Sequence, residues 1–210
     1  MRDGDPSNPV EHKVILHGVS WETYERLLSE HQESPGTHFI YDEGALEIMV
    51  LSRRHEEPNR DLAMLAQLVA MELGIDFDQL GSTTFKREHL QKGFEPDSAF
   101  YFARVSETEG REPDAEVDPP PDLIIEIDLT SPSLNRFPIF AAFGVPEVWR
   151  YHRSRVTFYR LEGGRYVETA SSSALLPLTA EVATRFLEER LQMRSTQWMR
   201  HVREWARQQR

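Results

Sequence analysis

The sequence contains no cysteine among its 210 residues. This absence excludes a disulfide framework, an iron–sulfur cluster, a thiolate zinc site and a cysteine nucleophile. The eight histidines fall at neither HxH nor HExxH spacing, and the sequence has no glycine-rich phosphate loop. Histidine-based zinc chemistry and nucleotide-triphosphate motors are therefore disfavoured as well.

Long apolar runs are also missing. No run approaches the roughly 18 to 20 residues that span a bilayer, and the amino end is polar and acidic, unlike a signal peptide. We therefore expect a soluble, cytoplasmic protein with no membrane partner. The formal net charge is −11, which argues against a nonspecific nucleic-acid coat because Lys and Arg dominate such binding.

The length predicts one main domain with small additions. Residues 1–12 lack periodicity and predict a lead-in segment, and residues 13–192 form the expected domain. Residues 193–210 predict a basic C-terminal helix, since positions 194–210 hold five arginines and one glutamate. Seven acids and four prolines at 106–122 predict an exposed loop.

Apolar spacing predicts an α/β (α+β) chain that starts with a helix and a hairpin. Ser20 caps the first helix, Gly44 forms the hairpin turn, and Gly74 ends the clearest helix. Further strands are predicted at 81–87, 97–102, 122–129, 147–152, 156–161 and 165–169, and further helices at 133–143, 179–192 and 195–208.

Two carboxylates interrupt the most apolar of these strands. Because side chains alternate along a strand, Glu126 and Asp128 share one face of the segment LIIEIDL. Burying unpaired carboxylates costs several kcal/mol, so the pattern calls for a compensating cation, either Arg or Lys or a metal. An ion pair at a sheet edge is the alternative explanation.

A second acidic motif, Glu95-Pro96-Asp97, precedes another predicted strand. Proline restricts the backbone at the strand entrance and so fixes the position of Asp97. If the two strands pair, Asp97 and Glu126 converge on one oxygen-ligated cation, which suits Mg²⁺ or Mn²⁺.

Five sequence blocks together resemble, in order and spacing, the bacterial Uma-two family of predicted restriction endonucleases: LEIMVLSRRHE, GSTTFKRE, GFEPDSAFYF, PPDLIIEIDLTSPS and FGVPEVWRY. That family is assigned to the PD-(D/E)XK nuclease superfamily. The resemblance implies a restriction-endonuclease-like core, in which a mixed central β-sheet flanked by helices holds Mg²⁺ at its opened edge. It also implies a transient DNA partner.

The resemblance assigns roles to individual residues. Asp97 and Glu126 match the metal-ligating acids, and Glu56 matches a further acid on the first core helix, although Pro58 follows shortly and is able to shift the start of that helix. A solvated acid in a first helical turn is the alternative for Glu56. The superfamily lysine would fall at Asp128, so Asp128 becomes a third ligand or a water-positioning group.

Arg136 stands where the resembling family has a later lysine. Arginine stays charged and cannot act as a general base, yet it can stabilise a pentavalent phosphate. Lys86 is an alternative cation.

Two functions of different class follow from the sequence. The first is a Mg²⁺-dependent endonuclease that hydrolyses DNA phosphodiesters. The second is a catalytically degenerate nuclease fold that binds nucleic acid or protein. Trp198 and Trp205 share one face of the basic helix, which favours core packing or a homodimer seam over base stacking.

Overall fold

The computed structural model describes residues 12–31, 36–81, 83–103, 105, 118–129 and 134–210. Within these ranges the chain forms eleven strands and five α-helices, which confirms the α+β class. In chain order they are β1 (His12–His17), α1 (Trp21–His31), β2 (Thr37–Asp42), β3 (Ala45–Val50), α2 (Arg53–Leu73), β4 (Asp78–Gln79), β5 (Phe85–Arg87), β6 (Lys92–Phe94), β7 (Ser98–Tyr101), β8 (Leu123–Asp128), α3 (Phe137–Phe143), β9 (Glu147–His152), β10 (Arg155–Glu162), β11 (Arg165–Thr169), α4 (Ala180–Arg190) and α5 (Ser195–Arg207).

The strands form two sheets, a mixed central sheet as the resemblance implies and a second sheet that contains the predicted hairpin. The larger sheet has the order β11-β10-β9-β8-β7-β4 and is mixed, because β8 and β9 run parallel while its other pairs are antiparallel. The smaller sheet has the order β1-β3-β2-β6-β5 and is antiparallel. Pairing of β2 with β6 joins segments about 50 residues apart, which local periodicity cannot reveal.

Helix α2 is the longest helix in the described part of the chain, and a side-chain cap fixes its first residue. The Ser52 side chain accepts a hydrogen bond from the amide of His55, and Gly74 ends the helix in the left-handed conformation at φ 73°. Pro58 lies inside the helix and does not shift its start. At the sixth helical position its missing N–H removes one early hydrogen bond, while the helix buries a long apolar face against β8.

Two apolar layers cover the mixed sheet. On one face α2, α4 and α5 form a common apolar cluster with Leu123, Ile125 and Ile127 of β8. On the other face α3 and strands of the smaller sheet pack around Ile124. Because strand side chains alternate, Glu126 belongs to this second face and points to the junction between the two sheets.

Two further differences from the sequence predictions have local causes. Strand β1 begins at His12, the last residue of the predicted lead-in, because it pairs along its whole length with β3. Helix α3 begins at Phe137 instead of near residue 133. Pro138 has no backbone N–H to donate, so it fits at the second position of a helix but not at a later one, where that N–H would be hydrogen-bonded. Most of the predicted acidic loop and residue 133 lie outside the described residues.

The basic C-terminal helix packs into the same core as α2. Trp198 is buried and donates its indole N–H to the carbonyl of Phe186, and Trp205 packs edge-on against the Phe186 ring. Core packing is therefore confirmed for Trp198. Among the described residues, no helix combines the length and the apolar character needed to cross a membrane.

Candidate active site

Asp97 lies immediately before β7, at the point where β7 leaves β8. The antiparallel register pairs Ser98 with Ile125, so Asp97 comes next to Glu126. Its Oδ2 accepts the backbone N–H of Ile127 at 2.7 Å. The Asn59 side chain of α2 fixes the same corner, since it donates to the Asp97 carbonyl at 3.0 Å and accepts from the Ser98 hydroxyl at 2.9 Å.

Two buried histidines flank the Asp97 carboxylate. Nε2 of His55 lies 2.9 Å from the Ile127 carbonyl, which requires a proton on that nitrogen, and 3.4 Å from Asp97 Oδ2. Nδ1 of His38 lies 3.6 Å from Asp97 Oδ1. Burial lowers the pKa of His38 to about 4, with further lowering by His55 and Arg136, so His38 is neutral at pH 7.

Glu126 is buried on β8 and faces the same junction. Burial raises its pKa to about 7, and the neighbouring charge of Asp97 adds to this rise, although Arg136 opposes it. Its Oε1 is buried and accepts no hydrogen bond from the described part of the chain. Oε2 accepts from Nη1 of Arg136.

Arg136, the residue before α3, is bound by acids from both sheets. Its Nη2 donates to Glu47 Oε1 on β3 at 2.8 Å, while its Nη1 donates to Glu126 on β8. Burial acts to lower the pKa of Arg136, but Glu126, Asp97 and Glu47 raise it above its already high ordinary value. The guanidinium is therefore a permanent cation among three carboxylates.

Glu47 also orders the segment that carries Arg136. Its second oxygen accepts the backbone N–H of Leu134 at 2.7 Å, and the residue is fully buried. The backbone before α3 is thus anchored to β3 of the smaller sheet. A lone acid in the apolar strand ALEIMV is the same signal that identifies Glu126, and it could have revealed Glu47 from the sequence.

Asp128 occupies the outer end of the same strand face. Arg150 on β9 donates a hydrogen bond to the Asp128 carboxylate. On the same strand, Nδ1 of His152 donates to the Asp128 backbone carbonyl at 2.8 Å. Its Oδ1 accepts no hydrogen bond from the residues that the structure describes. Asp128 therefore stands beside Glu126 with one oxygen turned away from its arginine partner.

Two cavities adjoin these carboxylates. The smaller has a volume of about 180 Å³ and is lined by both acids of β8 and by three cations. We call it the cationic cleft. Its walls include Glu126, Asp128, Lys13, Arg136 and Arg150. The larger has a volume of about 510 Å³ and lies on the Asp97 side, where His38, Asn59 and Glu56 line it.

Glu56 and Lys86 are not in contact with Glu126. Glu56 lies in the first turn of α2, half-buried, and Arg60 approaches it at 3.4 Å. It shares the larger cavity with Asp97. Lys86 on β5 pairs with Glu25 of α1 and lines neither cavity.

Asp97 and Glu126 are the residues that could hold a metal ion. Among the described residues, no three acidic or histidine side chains lie close enough together to hold one by themselves. Mg²⁺ does not require such a set, since it is typically bound by one or two carboxylates while keeping waters and phosphate oxygens. Oε1 of Glu126, which lies beside a second carboxylate and accepts no hydrogen bond from any described residue, is a donor of the type that Mg²⁺ prefers.

Comparison with known proteins identifies the family. Residues 21–192 match the model of the Uma2 family, described as "Putative restriction endonuclease". The chain belongs to this family. It is the Uma-two family that the sequence blocks resemble, and the matched segment contains Asp97, Glu126 and Arg136. A nuclease-like function is therefore supported at the level of the family.

A solved structure that resembles the chain carries a similar description. It is the crystal structure of a "putative nuclease belonging to DUF820" from Anabaena variabilis, with 16% sequence identity and a TM-score of 0.49. The match covers 75% of this chain and 97% of that chain. No curated protein matches the sequence.

Proposed function

We propose that the protein is a Mg²⁺-dependent endonuclease that hydrolyses phosphodiester bonds in DNA. The observation that carries this proposal is the placement of Asp97 beside Glu126, at the end of two paired strands, in a member of the Uma2 family. Mn²⁺ suits the same oxygen donors.

Each residue of the site has a task that its contacts support. The N–H of Ile127 and the ring of His55 hold Asp97 in one orientation, and Asp97 and Glu126 would hold the cation. A bound divalent cation supplies Lewis-acid polarisation of the phosphate and a more acidic water. Arg136 cannot take up a proton at neutral pH, so its task is to stabilise negative charge that develops on the phosphate.

Asp128 lines the cationic cleft, and its Oδ1 accepts no hydrogen bond within the described ranges of the chain. Since Arg150 neutralises its charge through the other oxygen, Asp128 is suited to accept a hydrogen bond from the attacking water and to orient it. This is the role we propose for it, in place of the lysine of the superfamily.

The test is nicking of supercoiled plasmid in Mg²⁺ and in Mn²⁺ with purified protein. Asp97→Asn and Glu126→Gln should each abolish nicking, as should excess EDTA with the wild type. Glu168→Gln is the matched control, because Glu168 is an exposed acid on β11. Nicking that survives when Asp97→Asn and Glu126→Gln are combined in one chain would assign the activity to a contaminant and remove the proposal.

Two observations favour the second candidate, a binding module without turnover. Arg136 already bonds Glu126 and Glu47, and an acid stands where the superfamily has its lysine. Under this alternative Arg136 only neutralises buried carboxylates. Binding of duplex DNA with no nicking in either metal, by the wild type and by Arg136→Lys alike, is the result that selects the binding module.

A further inference from the structure

Glu47 on β3 is held through both of its carboxylate oxygens. Its Oε2 accepts the backbone N–H of Leu134 at 2.7 Å, and its Oε1 accepts Nη2 of Arg136 at 2.8 Å. The side chain is fully buried, which strengthens both hydrogen bonds relative to the same bonds in water. Glu47 is therefore an acceptor of fixed position beside the arginine.

The guanidinium of Arg136 is divided between two acids. Arginine frequently binds one carboxylate through two parallel N–H groups, which engage both oxygens of that carboxylate. Here Nη1 donates to Oε2 of Glu126, while Nη2 donates to Glu47 instead. Oε1 of Glu126 accepts no hydrogen bond from the residues that the structure describes. One oxygen of this buried acid stays open because the second nitrogen of the guanidinium is bound elsewhere.

This division determines what Glu126 can offer to a metal ion. Two cations repel each other most strongly when they share one oxygen, and a carboxylate keeps them apart when each cation has its own oxygen. A guanidinium that engaged both oxygens of Glu126 would stand beside any cation bound there. Glu126 therefore presents a favourable oxygen ligand only while Arg136 is confined to Oε2.

We propose that Glu47 is a positioning residue for the metal site. By holding Nη2 of Arg136 on β3, it confines the arginine to one oxygen of Glu126 and keeps Oε1 open to the divalent cation. The inference rests on the proposed function, since it takes Asp97 and Glu126 as the residues that hold the cation. Glu47 does not ligate the cation, and it acts through Arg136.

Mn²⁺ affinity at pH 8 tests this role without turnover. Free Mn²⁺ is measured during a titration by its electron paramagnetic resonance signal, for the wild type and for Glu47→Asp. Aspartate keeps the charge at this position, but it is one methylene shorter and cannot hold both Leu134 and Arg136. The dissociation constant should rise by about 10- to 100-fold, the usual cost of removing a group that orients a metal ligand.

A matched control separates positioning from general stability. Glu147→Asp makes the same change at a buried acid of β9 that also accepts hydrogen bonds through both oxygens, and it should keep the wild-type Mn²⁺ affinity. Thermal unfolding without metal verifies that each variant is folded. Glu47→Gln is the second variant, because its one acceptor oxygen cannot serve both donors, and it should show the same loss.

A second background tests whether Glu47 acts through the arginine. In an Arg136→Lys chain, adding Glu47→Asp should change the Mn²⁺ affinity by no more than about 3-fold, because a lysine ammonium has no planar fork that could engage both oxygens of Glu126. A loss that is equally large in both backgrounds overturns the inference.

The outcomes distinguish this inference from the proposed function. Weaker Mn²⁺ binding in Glu47→Asp, and not in Glu147→Asp, supports the positioning role even if no protein nicks DNA, in which case the endonuclease proposal alone fails. An unchanged dissociation constant in Glu47→Asp, or an equal loss in Glu147→Asp, overturns the inference, and nicking by the wild type then leaves the endonuclease standing. Absence of Mn²⁺ binding by the wild type overturns the inference together with the proposed metal dependence.

Discussion

The guanidinium of Arg136 joins Glu47 of the five-stranded sheet to Glu126 of the six-stranded sheet. All three side chains are largely withdrawn from solvent, so the charges interact in a medium of low polarisability. Asp97 adds a third carboxylate to the same field. The cluster is at once the centre of the candidate site and an electrostatic tie between the two sheets.

Removal of the Arg136 charge should destabilise the fold. Arg136→Met leaves Glu47 and Glu126 buried without their cation, and breaking such a pair from one side costs about 3 to 5 kcal/mol. Urea unfolding at pH 8 measures the loss. Adding Glu126→Gln to the same chain should recover part of it, whereas a loss below about 1 kcal/mol in Arg136→Met would contradict a buried, charged cluster.

The same arginine distinguishes an active site from a degenerate one. If the site turns over, Arg136→Lys should preserve or raise the nicking rate, because a lysine ammonium keeps a cation beside the carboxylates. Arg136→Ala should lose on the order of 10²-fold, as expected for one strong electrostatic stabiliser. Initial rates in Mg²⁺ decide the matter, and equal rates for the wild type and Arg136→Ala would remove Arg136 from the mechanism.

The free energy of unfolding of the metal-free protein should fall as the pH rises through about 7, because Glu126 loses its proton over this range. Its folded pKa of about 7 lies above the ordinary value of 4.5, so the folded state holds a proton there that the unfolded state has released. The stabilisation is complete below pH 4.5 and lost above pH 7, with a span of about 3 kcal/mol.

The depressed pKa of His38 acts in the opposite sense, since its contribution is lost as the pH falls from about 6.5 toward 4. The measurement is therefore the difference in unfolding free energy between the wild type and Glu126→Gln. Because both proteins contain His38, its contribution cancels in that difference. That difference should favour the wild type progressively more toward acid. A difference that stays flat from pH 5 to 8.5 is incompatible with a raised Glu126 pKa.

Mg²⁺ should stabilise the folded protein at pH 8, which lies above the Glu126 pKa of about 7. At a free concentration 100 times the dissociation constant, one bound ion adds about 2.7 kcal/mol. The gain appears as a rise in melting temperature that Asp97→Asn and Glu126→Gln remove and that Glu168→Gln retains. An identical rise in all four proteins would indicate a nonspecific ionic effect.

Glu147, in the sequence block FGVPEVWRY, should matter for stability and not for chemistry. It is buried on β9, accepts the indole N–H of Trp149 at 2.6 Å, and accepts backbone N–H groups of Ser173 and Ala174. Glu147→Ala leaves these donors unsatisfied and should cost about 3 kcal/mol. The nicking rate per folded molecule should stay at the wild-type level, and a specific rate loss would contradict a structural role.

The sequence predicted the parts of the fold whose signal is local. The apolar strand around Glu126, the hairpin at Gly44 and the helix that ends at Gly74 follow from alternation, turn residues and helical spacing. The placement of Asp97 beside Glu126 was inferred from one assumption, the pairing of their strands, and β7 does pair with β8.

The rest depended on contacts between distant segments. Glu47 carried a readable signal as a lone acid in an apolar strand, but its partner Arg136 is 89 positions away. Lys13 entered the cleft only because β1 pairs with β3. Division of the strands into two sheets likewise depends on pairing between β2 and β6, which no window of neighbouring residues contains.

The Arg136 bridge has a consequence for the order of events during folding. Glu47, Asp97, Glu126 and Arg136 come from well-separated parts of the chain, and such contacts form only after the intervening loops have closed. A partly folded or truncated chain would hold its acids apart, in water, with ordinary pKa values and no shared cation. Any activity of this site would therefore arise only with the last tertiary contacts.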